Sequence, residues 1–178
     1  MHPDISEILY TENELKNAVE AMGRQISRDY EDKNLFMVAV LKGSLVFMAD
    51  LMRAINIPCT IDFLSVSSYG NGTKTSGEVR LIKDLDCPLE NKDLLIVEDI
   101  LDSGVTLSYL KKTLEARNPR SIRICTLLDK PEHRRADIVA DYRGFVIPDA
   151  FIVGYGLDYA EKYRNLPYVG VLKREIYE

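Results

Sequence analysis

The chain has 178 residues, 46% of them hydrophobic and 29% charged, with a formal net charge of −5. That length suits one domain with a sizeable core and little beyond it. The acidic balance argues against a nucleic-acid partner, which demands a basic face, although one basic cleft stays open. Three cysteines, Cys59, Cys87 and Cys125, without a CxxC pair, fit reduced and mostly buried thiols rather than a disulfide framework or zinc site. No basic segment followed by an apolar core marks a secretory signal, and the longest fully apolar run, Leu35 to Leu41, is too short for a membrane span. The expectation is a cytoplasmic protein without a membrane partner.

In chain order, Thr11 and Glu14 form a candidate capping box, followed by a helical stripe of Leu15, Ala18, Val19, Met22 and Ile26. Leu35 to Leu41 reads as a strand buried on both faces. Ser44 is placed to cap a helix running to Ile55, which Ile57-Pro58 closes. Thr60 to Val66 reads as a strand. Ser67 to Gly77 is polar and glycine-rich, a long loop open to two readings, disorder or a lid. Strands are predicted at Glu78 to Lys83, Asp93 to Glu98 and Ile122 to Leu128, with a helix marked by Leu107, Leu110 and Leu114 before Asn118-Pro119. Alternating strands and helices predict an α/β fold with a mostly parallel twisted sheet flanked by helices. Ligands then bind beyond the carboxyl ends of the strands.

The decisive stretch is Leu94 to Leu107. A buried strand delivers Glu98 and Asp99, and Asp102-Ser103-Gly104-Val105-Thr106 then opens a helix. Backbone N–H groups at a helix N-terminus bind a phosphate, and Gly104 permits close approach. Adjacent carboxylates repel phosphate but suit sugar hydroxyls and a metal ion. Together they fit a ribose 5-phosphate. The plainer alternative, that the acidic pair and turn merely cap the next helix, stays open for those residues taken alone. Neither GxxxxGK[ST] nor GxGxxG is present.

Val97 to Thr106 resembles the phosphoribosyl-pyrophosphate signature of type I phosphoribosyltransferases. With Asp at position 102 it is similar to hypoxanthine (hypoxanthine-guanine) phosphoribosyltransferases; adenine- and orotate-specific members usually carry another residue there. Val105 stands where some relatives have a basic residue, a small departure because such loops hold phosphate mainly by backbone N–H groups. The likeness extends from about Leu35 to Leu172. Leu41-Lys42-Gly43 resembles the pyrophosphate loop, which in this family contains a non-proline cis peptide before the lysine. Ser68-Tyr69 resembles the start of the flexible closing loop. Lys130 resembles the lysine that reads the purine 6-oxo group, Phe151 to Tyr159 the hood segment over the base, and Arg164 an arginine on pyrophosphate.

The resemblance implies one domain over residues 1–178, its hood built from the N-terminal segment and about 145–178. It implies purine salvage: transfer of phosphoribosyl from phosphoribosyl pyrophosphate to N9 of hypoxanthine or guanine, giving IMP or GMP, with Mg2+ as cofactor. Glu98, Asp99 and Asp158 would serve the metal. Asp102 would be the general base at N7, or a brace for its own loop. Lys42, Gly43 and Arg164 would hold pyrophosphate, although a lone Lys or Arg is more often a solvated surface cation. Lys130, Phe151, the backbone at Ile152 and Asp158 would bind the purine, and Tyr69 would close over the reacting centre. Relatives are typically homodimers or homotetramers. A xanthine-preferring transferase and a non-catalytic sensor of phosphoribosyl pyrophosphate remain the competing readings.

Overall fold

A computed structural model describes residues 1–68 and 79–178, apart from the side chain of Ser68. The loop expected from Ser67 lies outside the described residues from Tyr69 on; only Ser67 and the backbone of Ser68 fall within them, at the end of a strand rather than in a loop.

Thr11 and Glu14 form the capping box in full, each binding the other's backbone N–H, and start helix α1 (Glu12–Asp29) after strand β1 (Ile5–Tyr10). Strand β2 (Leu35–Leu41) has the bounds its apolar run predicts. Helix α2 (Leu45–Ala54) follows, but Ser44 does not cap it: the residue is already helical at φ −71, and its hydroxyl donates back to the Val40 carbonyl. Strand β3 (Thr60–Ser68) runs two residues past its apolar stretch, and β4 (Val79–Lys83) pairs with it antiparallel. Strand β5 (Asp93–Leu101), helix α3 (Val105–Glu115), strand β6 (Ser121–Asp129), a 3-10 turn (Pro131–His133) and strand β7 (Tyr142–Val146) complete the main body. Strands β8 (Ile152–Val153) and β9 (Val169–Leu172) and helix α4 (Arg174–Tyr177) end the chain.

The main sheet has the order β4-β3-β2-β5-β6-β7, parallel throughout except for edge strand β4. Its central strands are apolar in continuous runs because both faces are covered. Met37, Ala39, Leu95 and Val97 face a core closed by Leu15, Val19, Met22 and Ile26 of α1 and by Phe47 and Leu51 of α2. Phe36, Val38, Leu94 and Ile96 face Leu107, Leu110 and Leu114 of α3. At the amino ends of these strands the buried Asp93 accepts from Asn34 N (3.1 Å) and Ser121 Oγ (2.8 Å), locking β5 to its neighbours. The carboxyl ends of β2, β5 and β6 are left together at the opposite edge.

Above that edge lies a second sheet, β1-β9-β8, in which the first strand of the chain pairs antiparallel with residues near its end, from Ile5↔Leu172 to Tyr10↔Val169. The Tyr155 hydroxyl donates to Asp50 Oδ2 at 2.5 Å and ties the segment after β8 to α2. All three cysteines are free thiols; Cys125 is buried, whereas Cys59 and Cys87 are only partly so. Among the described residues no helix is long and apolar enough to cross a membrane.

Candidate active site

The acidic pair lies inside β5 rather than beyond it. The apolar run ends at Val97, yet the ladder with β6 continues from Glu98↔Thr126 to Leu101↔Asp129, because backbone pairing does not depend on apolar side chains. Glu98 and Asp99 line a cavity of about 250 Å³ with Asp102, Ser103, Gly104 and Thr106. Burial raises the Glu98 carboxyl well above its usual range, with the Asp99 charge adding to it. Burial likewise pushes Asp99 up to about 6, against hydrogen bonds from backbone N–H groups and the Arg164 charge. Two carboxyls short of solvation at the floor of one cavity attract cations and hydroxyl donors.

The turn from β5 into α3 needs Gly104. Its φ is +77, and a Cβ there would stand 2.6 Å from Ile138 Cγ2. No side chain caps α3, so the N–H groups of its first turn remain available to a ligand at the cavity wall. Val105 is the first residue of that helix, and its N–H makes only a long contact (3.4 Å) to Ser103 Oγ. The turn is braced from outside by Arg134. Its Nε donates to the Asp102 carbonyl at 2.9 Å and its Nη2 to the Leu101 carbonyl at 3.2 Å, and it pairs with the buried Asp129. The Asp102 carboxylate does not brace the loop; its Oδ1 is buried without a hydrogen-bond partner. Arg134 had no distinguishing mark in the sequence, where it is one cation in a polar run.

The peptide bond Leu41–Lys42 is cis, as the likeness of Leu41-Lys42-Gly43 implies. Gly43 sits against the acidic pair: a Cβ there would fall 1.9 Å from Asp99 Oδ2. Gly156, at φ +102, approaches the same loop so closely that a Cβ there would fall 2.0 Å from the Gly43 carbonyl oxygen. The segment after β8 therefore packs against the Leu41–Gly43 turn backbone to backbone. Arg164 donates from Nη1 to the Gly156 carbonyl (2.8 Å), and its Nη2 pairs with Asp158 Oδ1 (2.9 Å) and Glu161 Oε2 (3.3 Å). Lys42 Nζ reaches the other oxygen of Glu161 at 3.1 Å. Glu161 was not singled out in the sequence, since nothing local separates it from a solvated acid.

The remaining residues gather around a cavity of about 750 Å³ lined by Asp102, Lys130, His133, Asp149, Phe151 and the C-terminal segment. Lys130 is buried, its ammonium 2.7 Å from Asp149 Oδ1. Phe151 is 39% exposed, but Tyr177 stacks on it at 4.6 Å between centroids and Tyr159 meets it edge-on at 5.6 Å. The expected platform thus shares its ring with a tyrosine the sequence did not mark. The Leu172 N–H donates to the Phe151 carbonyl at 2.9 Å, and by the alternation of an antiparallel pair the N–H and C=O of Ile152 face the free edge of the sheet. Asp158 does not join this group; it stays with Arg164. A separate cavity of about 560 Å³, between α1, α2 and the hood segment, shares only Arg164 with the site.

Among the described residues no group of three or more His, Cys, Asp or Glu side chains is disposed to hold a metal unaided. Mg2+ still fits, because it keeps several waters and is commonly held by one or two carboxylates together with substrate oxygens. Glu98 and Asp99 supply such a pair. Asp158 is less available as a direct ligand, with Oδ1 on Arg164 and Oδ2 accepting from Glu161 N at 2.9 Å.

Residues 6–160 match the family description "Phosphoribosyl transferase domain". The chain is 54% identical, over 100% of its length and 99% of the relative's, to the hypoxanthine-guanine phosphoribosyltransferase of Bacillus subtilis. The chain belongs to the phosphoribosyltransferase family, among the hypoxanthine-guanine phosphoribosyltransferases. A hypoxanthine phosphoribosyltransferase structure from Staphylococcus aureus superimposes with a TM-score of 0.97 at 52% identity, covering 100% of this chain and 97% of that one. The match to the bifunctional protein TilS/HprT of Listeria monocytogenes is 52% identical but spans only 27% of that longer protein.

Proposed function

We propose that the chain transfers the 5-phosphoribosyl group of phosphoribosyl pyrophosphate to N9 of hypoxanthine or guanine, forming IMP or GMP and pyrophosphate. One observation carries this reading: Asp102 lines both the cavity of the acidic pair and phosphate turn and the cavity of Lys130 and Phe151. A sugar in the first and a base in the second would meet where the two cavities join, with the one carboxylate beside the reacting atoms.

The N–H groups at the start of α3 bind the 5-phosphate, and Glu98 and Asp99 accept from the ribose hydroxyls. Lys42 and Arg164 stabilise charge developing on the pyrophosphate as the anomeric carbon becomes cationic. Bound beside Glu98 and Asp99, Mg2+ supplies further charge neutralisation to that leaving group. Asp102 takes the purine N7 proton as N9 attacks. Lys130 donates to the 6-oxo oxygen, a contact that adenine's amino group cannot accept. The edge N–H and C=O of Ile152 read the rest of the base, and Phe151 packs on its face. The small sheet β1-β9-β8 serves as the hood, and residues 1–178 act as a single domain. The chain works in the cytoplasm as a homodimer or homotetramer, the form that the family resemblance implies.

A Mg2+-dependent assay for IMP and GMP formation with hypoxanthine, guanine, xanthine and adenine tests the reading. Turnover with the first two and rejection of adenine is the expected result. Turnover confined to xanthine would move the assignment to that base, and no turnover with any base would end it.

A further inference from the structure

Four polar side chains, Lys130, Asp149, His133 and Asp102, form a line through the mouth of the base cavity. Lys130 Nζ lies 2.7 Å from Asp149 Oδ1, the other Asp149 oxygen lies 2.9 Å from His133 Nε2, and His133 Nδ1 lies 3.2 Å from Asp102 Oδ1. Lys130 and His133 bracket the 3-10 turn Pro131–His133, in which residues three apart eclipse one another, so both project toward the same cavity. The two ends of the line are the group placed to face N7 and the group placed to face the 6-oxo oxygen. His133 has no place in the sequence likeness or in the reaction as described so far.

We infer that His133 is a positioning residue for the transfer reaction: its two ring nitrogens, through Asp102 on one side and Asp149 and Lys130 on the other, set the catalytic carboxylate and the base-reading lysine in one linked geometry. The inference rests on the phosphoribosyl-transfer reading above. Asp102 Oδ1 is buried and otherwise lacks a hydrogen-bond partner, an arrangement that costs free energy unless a neighbour completes it. The His133 ring nitrogen 3.2 Å away is the group placed to do so, and a ring carrying both N–H groups would donate to Asp102 and Asp149 together. At its other nitrogen the ring already meets Asp149 at hydrogen-bonding distance. Asp149 is in turn held below the usual carboxylate range, by Lys130 first and by His133 second. A base entering between Asp102 and Lys130 thus meets two contacts that move together.

The test is a double-mutant cycle with His133→Ala and Asp149→Asn in steady-state assays on the full chain. Both side chains are about half exposed, so the variants are expected to fold, and thermal melting checks this. His133→Ala should lower kcat/KM for hypoxanthine on the order of tenfold, short of the ~100-fold that an ångström of misplacement can cost, with the KM for phosphoribosyl pyrophosphate unchanged. The double variant should lose no more than the worse single one, and added imidazole should restore part of the loss in His133→Ala. Activity within about twofold of the parent, or strictly additive losses, would overturn the inference while leaving the transferase reading intact. An inactive parent chain would overturn both.

Discussion

Lys42 Nζ stands 3.1 Å from Glu161 Oε1, although the two residues are 119 positions apart. The other oxygen of Glu161 is 3.3 Å from Arg164, so one carboxylate occupies the gap between the two cations assigned to pyrophosphate. Lys42 first, and Arg164 second, hold its carboxyl below the usual range. On that assignment an incoming pyrophosphate group would have to displace it. Glu161→Gln should lower the KM for phosphoribosyl pyrophosphate by about two- to fivefold, the range expected of exposed ion pairs, with a smaller change in kcat. Initial rates at saturating hypoxanthine check this.

Asp102→Asn keeps the shape of the side chain and removes its basicity. Turnover should fall by roughly 10- to 10⁴-fold, the scale of general-base loss. Affinity for phosphoribosyl pyrophosphate should hold, because the turn is braced by Arg134 through the Asp102 carbonyl rather than by the Asp102 side chain. Equilibrium binding measured beside turnover separates the two. Unchanged turnover at saturation would remove Asp102 from the chemistry.

Arg134→Met strips the carbonyls of Leu101, Asp102 and Ile138 of a donor and leaves buried Asp129 with Arg143 alone, 3.2 Å away. The expected loss is about 3 kcal/mol, the low end for breaking a buried ion pair because Arg143 remains. Urea denaturation gives the stability, and the phosphoribosyl pyrophosphate KM should rise in parallel as the turn loosens.

Asp99 ties the stability of the ligand-free chain to pH. Its carboxyl is raised from 3.8 to about 6, chiefly by burial. A raised carboxyl value means that the fold favours the protonated form. The stability from this group is therefore present below its unfolded value and lost as pH climbs through about 6. Asp99→Asn, which cannot ionise, should melt a few degrees above the parent near neutral pH and approach it at pH ~3, below the unfolded carboxyl value, where the position is uncharged in both the folded and the unfolded chain. Melting curves across that interval decide it; equal Tm differences at both ends would contradict the assignment.

Much of the architecture was legible because it rests on local or periodic signals. Thr11 and Glu14 specify a capping box within four residues, Leu35 to Leu41 declares a doubly covered strand, and Gly104 marks a turn that a side chain would block. The errors fell where local signals compete. Ser44 has a capping residue's chemistry but bonds to Val40, and β5 outlasts its apolar run because the neighbouring strand keeps supplying backbone partners.

The sequence by itself determined the α/β order, the adjacency of Glu98 and Asp99 on a buried strand and the glycine turn into α3, since each is encoded by residues adjacent along the chain. Only the tertiary structure decided that Glu161 lies between Lys42 and Arg164, that Arg134 braces the turn, and that His133 lies between Asp102 and Asp149. Those pairings depend on where distant loops meet above the sheet, and a polar side chain in a polar loop carries no local sign of the partner it will find. Burial periodicity reports which side of an element faces the core; it says nothing about which charges converge at the rim.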